Sequence, residues 1–245
     1  MRLTRVHVAG PLASGATLKL APDTGLHLVR VLRLSRGAPL AVFDGRGREH
    51  AATITSVRDA EVLVLLGEPI ASAAESPLAI TLAQGISRGE RMDYALQKAT
   101  ELGVARIVPL LCARSVVKLD AEHAARRLEH WRGIAAAAAG QSGRAVVPEV
   151  EAPRRLLDHL DAARGRDELK LVLAPSAALG PRALAAPPAR LELLIGPEGG
   201  LSEEELAAAA QCGYRSLRLG PRILRTETAA AAAIAALQAL YGDLG

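Results

Sequence analysis

The sequence predicts an α/β protein in which a small, basic, β-rich domain precedes a larger domain built on a parallel sheet. From residue 77 onward, short apolar runs alternate with longer helical patterns, which is typical of a parallel sheet covered by helices on both faces. Residues 1–58 carry nine Lys/Arg against three Asp/Glu, a net charge of +6, whereas residues 59–245 carry 21 against 23, a net charge of −2. A chain of 245 residues is long enough for two domains.

The elements of the first domain are short and mostly extended. Alternating apolar residues predict a strand at 2–8, and apolar residues at helical spacing predict an amphipathic helix within 23–35 that also carries Arg30 and Arg33. The run 40–57 is typical of a β-hairpin whose turn is Asp44-Gly45-Arg46-Gly47, and 61–67 predicts another strand.

A linker is predicted at about 68–77, where two prolines and several small residues interrupt the pattern. We therefore expect domains at 1–70 and 77–245. The strands predicted in the second domain are 78–84, 106–111, 169–174, 191–195 and 216–219, and its helices are 90–103, about 120–139, and one after each of the last two strands. Parallel sheets bind ligands beyond the carboxyl ends of their strands, which directs attention to the loops 174–177, 196–200 and 220–225.

Several classes of protein are disfavoured by what the sequence lacks. Its apolar runs are shorter than the roughly 18 residues of a membrane span, and its first residues lack the layout of a signal peptide, so we expect a soluble, cytoplasmic protein. Cys112 and Cys212 are far apart and are expected to be reduced core residues. The six histidines show no metal-ligand spacing, so no metal is predicted.

Arginine outnumbers lysine 26 to 4, which suits bidentate recognition of phosphate. The abundance of Ala, Gly, Pro and Arg equally suits a GC-rich genome, so the positions of the arginines matter more than their number. Aromatic residues make up 2% of the chain, which disfavours nucleic-acid recognition on a platform of stacked bases.

The run Gly85-Ile86-Ser87-Arg88-Gly89 matches the G-x-S-x-G pattern of a serine-hydrolase nucleophile elbow and lies between a predicted strand and a predicted helix. A hydrolase of that type needs an acid and then a histidine later in the chain. The last histidine is His159, which leaves the most distinctive motifs of the C-terminal part without a role. A serine hydrolase is therefore an alternative, but not the favoured one.

Two loops share the pattern of an apolar strand, Gly-Pro and then a helix. In IGPEGGLSEEEL, three glycines around Pro197 allow a sharp turn and a close approach to a ligand, while Ser202 and Glu205 form a capping box for the next helix. In LRLGPRILRTETA, Thr226 is the predicted cap of the last helix. Loops of this kind at neighbouring strand ends could hold an adenine ring through backbone groups, leaving the loop arginines to face an anionic partner.

These motifs resemble the RsmE family, the 16S ribosomal RNA uridine-N3 methyltransferases of the SPOUT class. LLIGPEGGLSEEEL and LRLGPRILRTETAAAAAIAALQ match its C-terminal signature, and ISRGERMDYALQKATELGV, GQSGRAVVPEV and HLVRVLRLSRGAPLAVFDGRG extend the similarity over nearly the whole chain. One departure is Gly140, which stands where the family pattern leads us to expect an acidic residue before QSxR. This chain therefore supplies no carboxylate at that position.

The resemblance implies an N-terminal PUA-like β-barrel that helps to hold RNA and a C-terminal SPOUT domain with a trefoil knot. It also implies S-adenosylmethionine (SAM) as the cofactor and a homodimer whose active site draws on both subunits. The substrate would be a uridine of small-subunit ribosomal RNA, either free or in the assembled subunit. A non-catalytic RNA-binding factor for ribosome assembly is the second alternative, since it would share the basic domain but would not need the two glycine-rich loops.

The resemblance also suggests roles for individual residues. We expect Arg225 to stabilise the anionic uracil, Arg222 and Arg88 to contact the RNA backbone, and the first domain to bind phosphates. The predicted phosphate-binding residues there are Arg30, Arg33 and Arg46, and the predicted cofactor-binding residues are Ile195, Gly196, Gly199, Gly200, Leu219, Gly220, Ile223 and Leu224. No proton acceptor is assigned: Glu198 and Glu227 are the nearest carboxylates, and water could serve instead.

Overall fold

The computed structural model describes residues 3–58, 61–117, 120–184 and 189–245. The chain forms two compact units. The N-terminal unit comprises the chain up to Glu75 together with Ala136–Val147, and the C-terminal unit comprises Ser76–Ala135 and Pro148–Gly245. Within the described ranges, every helix is too short or too polar to cross a lipid bilayer.

The N-terminal unit is built on a five-stranded sheet with the order β1-β3-β4-β5-β2. Its outer strand β1 pairs with β3 in parallel, and the other neighbours are antiparallel. Alternate residues of the strands, including Val42, Ile54 and Val64, form one hydrophobic core, as the alternating pattern predicts. The strands are β1 (Arg5–His7), β2 (Thr17–Lys19), β3 (Pro39–Phe43), β4 (Glu49–Arg58) and β5 (Glu61–Pro69).

The helix predicted within 23–35 is shorter and less regular than its apolar spacing suggests. Helix α1 (Pro22–Leu26) runs into a single π-helical turn at His27–Val31, and Arg33 then adopts a left-handed backbone conformation with φ 55°. Leu28 packs in the core of the unit, whereas Val31 and Leu32 are exposed. The segment therefore buries Leu28 fully and Val29 and Leu34 partly, rather than a continuous apolar stripe.

The turn between β3 and β4 is the one that the sequence predicts. The Asp44 carboxylate accepts hydrogen bonds from the backbone N–H groups of Arg46 (2.7 Å) and Arg48 (3.1 Å). Gly45 and Gly47 have φ values of 72° and 100°, which other residues adopt only with strain. This turn leaves the Arg46 side chain exposed.

A buried arginine organises the N-terminal unit. Arg5 forms a bidentate pair with Glu49, with donor–acceptor distances of 2.8 Å and 2.6 Å, and both side chains are only 8% exposed. Its guanidinium also donates to the carbonyls of Ala139, Gly140 and Arg144 and lies 4.9 Å from the centre of the Phe43 ring. The charge of Arg5 is thus satisfied by one carboxylate and three carbonyls.

Gly140 belongs to this cluster. A Cβ atom added to it would lie 3.5 Å from both the carbonyl oxygen of Arg5 and the Phe43 ring. A methyl group therefore fits, but the position faces a carbonyl oxygen and an aromatic ring. The counter-charge of Arg5 comes from Glu49, and position 140 contributes only its backbone carbonyl to the cluster.

The C-terminal unit contains a seven-stranded parallel sheet. Its order is β12-β10-β11-β6-β7-β8, and β9 also pairs with β7. The strands are β6 (Ala79–Gly85), β7 (Arg106–Leu111), β8 (Glu149–Val150), β9 (Arg154–Arg155), β10 (Leu169–Leu173), β11 (Arg190–Ile195) and β12 (Arg215–Leu217); the helices are α2 (Glu90–Glu101), α3 (Ala121–Ser142), α4 (Leu156–Ala163), α5 (Glu203–Gln211) and α6 (Thr226–Tyr241). The sequence did not predict β8, β9 or α4.

Strand β11 carries a buried carboxylate in the middle of the sheet. Glu192 accepts from the Tyr214 hydroxyl and is 2.7 Å from Nε2 of His159, and both of its partners are buried. Burial pushes the pKa of Glu192 up, but its hydrogen bonds with His159 and Tyr214 and the charges of His159 and Arg166 outweigh that effect and hold the pKa below its usual value. His159 thus has a structural partner.

Both cysteines are free and buried in the core of the C-terminal unit, which confirms the prediction of reduced core residues. Burial, reinforced by the charge of Glu205, raises the pKa of the Cys112 thiol to about 12. The thiol is therefore protonated at neutral pH and is a poor nucleophile.

We expect Arg5→Ala to lower the free energy of unfolding by roughly 3–5 kcal/mol, because it leaves Glu49 buried without its counter-charge. The matched control is Lys19→Ala, which removes the exposed ion pair with Glu61. This change should alter the free energy of unfolding by less than about 1 kcal/mol. Urea denaturation of the two variants measures both values. Equal losses would show that the Arg5 pair contributes no more than a surface pair.

Candidate active site

The two Gly-Pro loops of the C-terminal unit lie on one cavity of about 610 Å³. Strands β12, β10 and β11 are neighbours in the parallel sheet, so the loops that follow them emerge side by side at its carboxyl edge. The cavity is lined by residues of three loops, one arginine of α2, one arginine after β7, one leucine of α5, and the start of α6: Arg91, Arg114, Leu173, Ala174, Pro175, Ser176, Ile195–Leu201, Leu206, Leu217–Glu227 and Ala229.

A single hydroxyl group joins the elements around this cavity. The Thr226 hydroxyl donates to the carbonyl of Gly196 at 2.7 Å and accepts from the Gln84 side-chain amide at 2.9 Å. These bonds connect the first residue of α6 to the loop after β11 and to β6. The prediction that Thr226 caps α6 is wrong: Arg225 occupies the cap position, and its side chain makes no capping hydrogen bond.

Close packing within the protein itself requires the glycines of the GPEGG loop (196–200), in addition to the space that they leave for a ligand. A Cβ on Gly196 would lie 2.9 Å from the backbone nitrogen of Leu201, and one on Gly199 would lie 3.0 Å from Cβ of Arg114. Gly200 has a left-handed φ of 68°. A Cβ atom on Gly85, which ends β6, would lie only 2.4 Å from the backbone nitrogen of Pro197 and would clash with it. The loop therefore folds tightly back on itself and against β6.

The helix after this loop begins as predicted. The Ser202 hydroxyl accepts from the backbone N–H of Glu205 at 3.1 Å, and the Glu205 carboxylate accepts from the N–H of Ser202 at 2.8 Å. This capping box is confirmed. Glu205 also accepts from the N–H of Ala113 at 2.7 Å, which ties the start of α5 to the segment after β7.

Arginines dominate the charge around the cavity. Five arginines and two carboxylates are among the lining residues, namely Arg91, Arg114, Arg218, Arg222, Arg225, Glu198 and Glu227. Glu198 accepts from the backbone N–H of Arg88 (2.9 Å) and from the Arg91 guanidinium (3.2 Å). Burial pushes the pKa of Glu198 up, but these donors outweigh it and hold the pKa below its usual value. An anionic ligand therefore meets a positive rim.

The structure places ten of the predicted site residues on this cavity: Arg225, Arg222, Ile195, Gly196, Gly199, Gly200, Leu219, Gly220, Ile223 and Leu224. Ile223 is 85% exposed and so stands at the rim. Arg88 lies beside the cavity rather than in its lining, with its backbone bonded to Glu198. Arg30, Arg33 and Arg46 are exposed side chains of the N-terminal unit.

Sequence reasoning missed Arg91 and Arg114. Arg91 follows Arg88 by three residues at the start of α2, and Arg114 comes three residues after the end of β7. The rule that ligands bind beyond the carboxyl ends of parallel strands applies to β7 as well as to the strands considered. Arg114 donates to the carbonyl of Gly199 at 3.3 Å, so it also supports the GPEGG loop.

The hydrolase interpretation finds no support in the structure. A nucleophile elbow exposes its serine at the top of the sheet, whereas Ser87 is 1% exposed and its hydroxyl donates to the carbonyl of Gly85 at 3.4 Å. His159, the last histidine of the chain, is bound to Glu192 in the core. Among the described residues, no three His, Cys, Asp or Glu side chains cluster as metal ligands would.

Comparison with known families decides what kind of protein this is. An RNA methyltransferase domain matches residues 74–238, and an RNA methyltransferase PUA domain matches residues 20–66. Ribosomal RNA small subunit methyltransferase E of Bacillus subtilis is 34% identical over 238 residues, covering 93% of each chain. This chain belongs to the RsmE family of RNA methyltransferases.

Solved structures agree with this assignment to the RsmE family. Ribosomal RNA small subunit methyltransferase E of Neisseria gonorrhoeae, solved bound to SAM, is 37% identical, covers 100% of both chains and superposes with a TM-score of 0.91. A Legionella pneumophila protein solved with bound SAM is 41% identical over 100% of both chains, with a TM-score of 0.94. The mixed α/β architecture with an N-terminal PUA domain is thus that of the RsmE family.

We expect Thr226→Val to lower the free energy of unfolding by about 1–3 kcal/mol, because it leaves the partly buried Gly196 carbonyl and the buried Gln84 amide without this partner. The matched control is Thr228→Val, an exposed position two residues along the same helix, which should change stability by less than about 0.5 kcal/mol. Urea denaturation of the two variants measures both changes in the free energy of unfolding. Similar values for both variants would contradict the central role of the Thr226 hydroxyl.

Proposed function

We propose that this protein transfers the methyl group of SAM to N3 of a uridine in 16S ribosomal RNA of the small subunit. Its membership of the RsmE family supports this proposal, as do relatives whose structures contain SAM. The observation that carries it is the convergence of two Gly-Pro loops on one cavity with an arginine-rich rim. An apolar, backbone-lined cavity suits the cofactor, and the rim suits a polyanionic substrate.

The residues of the cavity fit SAM. A volume of about 610 Å³ lies in the range of small-molecule sites. The side chains of Leu173, Ile195 and Leu219 supply apolar contact for a flat ring, and the glycines, which lack side chains, allow a ligand to approach the backbone closely. We assign cofactor binding to these eight residues: Ile195, Gly196, Gly199, Gly200, Leu219, Gly220, Ile223 and Leu224. Bound SAM supplies an electrophilic methyl group on a positively charged sulfur.

Arg225 is our candidate for stabilising the reacting base. Its side chain is exposed on the cavity, and its backbone holds the cap position of α6, next to the anchored Thr226. Removal of the N3 proton leaves negative charge on the uracil oxygens, and a guanidinium held beside them lowers the energy of that state. Arg222, in the loop before α6, and Arg88, between β6 and α2, are both exposed and are assigned to the RNA backbone.

The N-terminal unit is assigned to phosphate contacts through Arg30, Arg33 and Arg46. All three side chains are exposed, and Arg33 is the one non-glycine residue in the described ranges with a positive φ. Strained backbone of this kind concentrates at functional positions. Each contact with a phosphate makes binding weaker as salt rises.

Other features of the family are proposals for this chain. We propose a domain division at 1–70 and 77–245, a homodimer, and action in the cytoplasm on free RNA or on the assembled small subunit. The trefoil knot implied by the resemblance stays a prediction. The family membership and the cavity favour an enzyme over a non-catalytic assembly factor.

Two measurements test the function. Calorimetry of the purified protein with SAM should show saturable binding, and mass spectrometry of ribosomal RNA nucleosides from a deletion strain should show a loss of 3-methyluridine that the wild-type gene restores. A protein that does not bind SAM would overturn the proposed cofactor. Unchanged 3-methyluridine in the deletion strain would overturn the proposed product.

We expect Arg225→Ala to lower the rate of methyl transfer to ribosomal RNA by about 100-fold or more, because one preorganised donor to a developing anion contributes that much. The matched control is Arg215→Ala, an exposed arginine on β12 outside the cavity lining, which should retain wild-type activity. Both rates are measured as the transfer of radioactive methyl from SAM to RNA that has been isolated from the deletion strain. An Arg225→Ala rate within about threefold of wild type would remove Arg225 from the proposed role.

A further inference from the structure

Glu227 is an acidic side chain that no described residue holds. It lies in the first turn of α6 and lines the cavity, one residue after Thr226. Its Oε2 atom is buried from solvent without a hydrogen-bond partner, and its carboxylate forms no ion pair with any described Lys, Arg or His. Leaving a buried carboxylate oxygen unpartnered destabilises a protein, so such a group calls for an explanation.

The other carboxylate of the cavity differs in this respect. Glu198 also has a buried Oε2 without a partner, but its Oε1 accepts from the Arg88 backbone and from Arg91. Those donors stabilise its charged form and make it a weaker base. Its contacts hold the GPEGG loop against the start of α2. Glu227 has no comparable structural contacts among the described residues, so it is the carboxylate that is free for a ligand.

The proposed substrate presents one group that needs such a partner. Uridine N3 carries a proton at neutral pH, and its lone pair becomes available for attack once that proton is removed. The rim arginines are hydrogen-bond donors only and cannot accept it. The other charged residues that line the cavity with Glu227 are Arg91, Arg114, Arg218, Arg222, Arg225 and Glu198.

We propose that Glu227 is the catalytic base that accepts the N3 proton of the target uridine, an inference that rests on the proposed function. The proton passes from N3 to the carboxylate of Glu227 and leaves later to solvent. The electron pair left on N3 forms the new bond to the methyl carbon, while the pair of the broken carbon–sulfur bond stays on sulfur. Arg225 balances the charge on the uracil oxygens while the proton is on Glu227.

The geometry of α6 supports this division of labour. The bonds of Thr226 to Gly196 and Gln84 hold the first turn of the helix in place, so Arg225 and Glu227 are presented to the cavity from either side of one anchored residue. A base and a cation fixed on the same turn can act on the N–H and the carbonyl of one flat ring. Such fixed positions are what general-base catalysis requires.

The test is Glu227→Gln, which keeps the size of the side chain and removes its basicity. We expect the rate of methyl transfer at neutral pH to fall by about 100-fold or more and to recover as pH rises, because the uridine then ionises without help. Affinity for SAM, measured by calorimetry, should stay within about threefold of wild type. The matched control is Glu203→Gln, an exposed glutamate in the first turn of α5, which should behave as wild type.

A modified substrate separates a base from a residue that only holds the loop. Fluorine at C5 of the target uridine makes the N3 proton more acidic, so RNA with 5-fluorouridine should rescue Glu227→Gln much more than it helps wild type. Glu198→Gln, which loosens the GPEGG loop, should weaken SAM binding and gain nothing from fluorine. The fluorine NMR shift of the bound RNA, recorded with S-adenosylhomocysteine, reports ionisation of N3 without turnover.

Three results would overturn the inference. They are wild-type activity in Glu227→Gln, a loss of activity that neither high pH nor fluorine restores, and a loss of SAM affinity of about 100-fold, which would assign the carboxylate to the cofactor's ammonium group instead. Failure of the proposed function would look different. In that case the wild-type protein itself would not bind SAM or would not methylate uridine.

Discussion

The hydroxyl of Thr226 is the contact on which the active-site region depends. It bridges the carbonyl of Gly196 and the amide of Gln84, and so it joins α6, the loop after β11 and the central strand β6. The bond to Gln84 is buried and the bond to Gly196 is partly buried, and together they hold three elements in one arrangement. The cavity forms where the anchored helix start leaves room between the two Gly-Pro loops.

Close packing of backbone reinforces that anchor. Gly85 lies so near Pro197 that a side chain there would overlap the loop, and Gly196 is crowded by Leu201, although less closely. The loop that lines the cavity is therefore pressed against the sheet before any ligand arrives. A site built in this way is preorganised, which suits a reaction whose main demand is the placement of a methyl donor beside a base.

The sequence alone located most of the candidate site, since ten of its predicted residues lie on the cavity. The rule about strand ends and the glycine-rich loops located the region, because both are local signals, and the resemblance of motifs suggested the individual residues. Arg91 and Arg114 were missed, since they come from elements distant in sequence that only the sheet order brings to the same edge. The role of Thr226 was misjudged for the same reason: its partners are 30 and 142 residues away.

Periodicity and turn chemistry determined the basic β-rich segment, the parallel sheet, the capping box of Ser202 and the reduced cysteines, because each depends on neighbours in the chain. The resemblance of motifs carried the family. Only the tertiary structure decided that Ser87 is buried, that Arg5 is neutralised by Glu49, and that one carboxylate of the cavity is held by donors while Glu227 is not. Burial and pairing arise between residues far apart in sequence, and no local pattern encodes them.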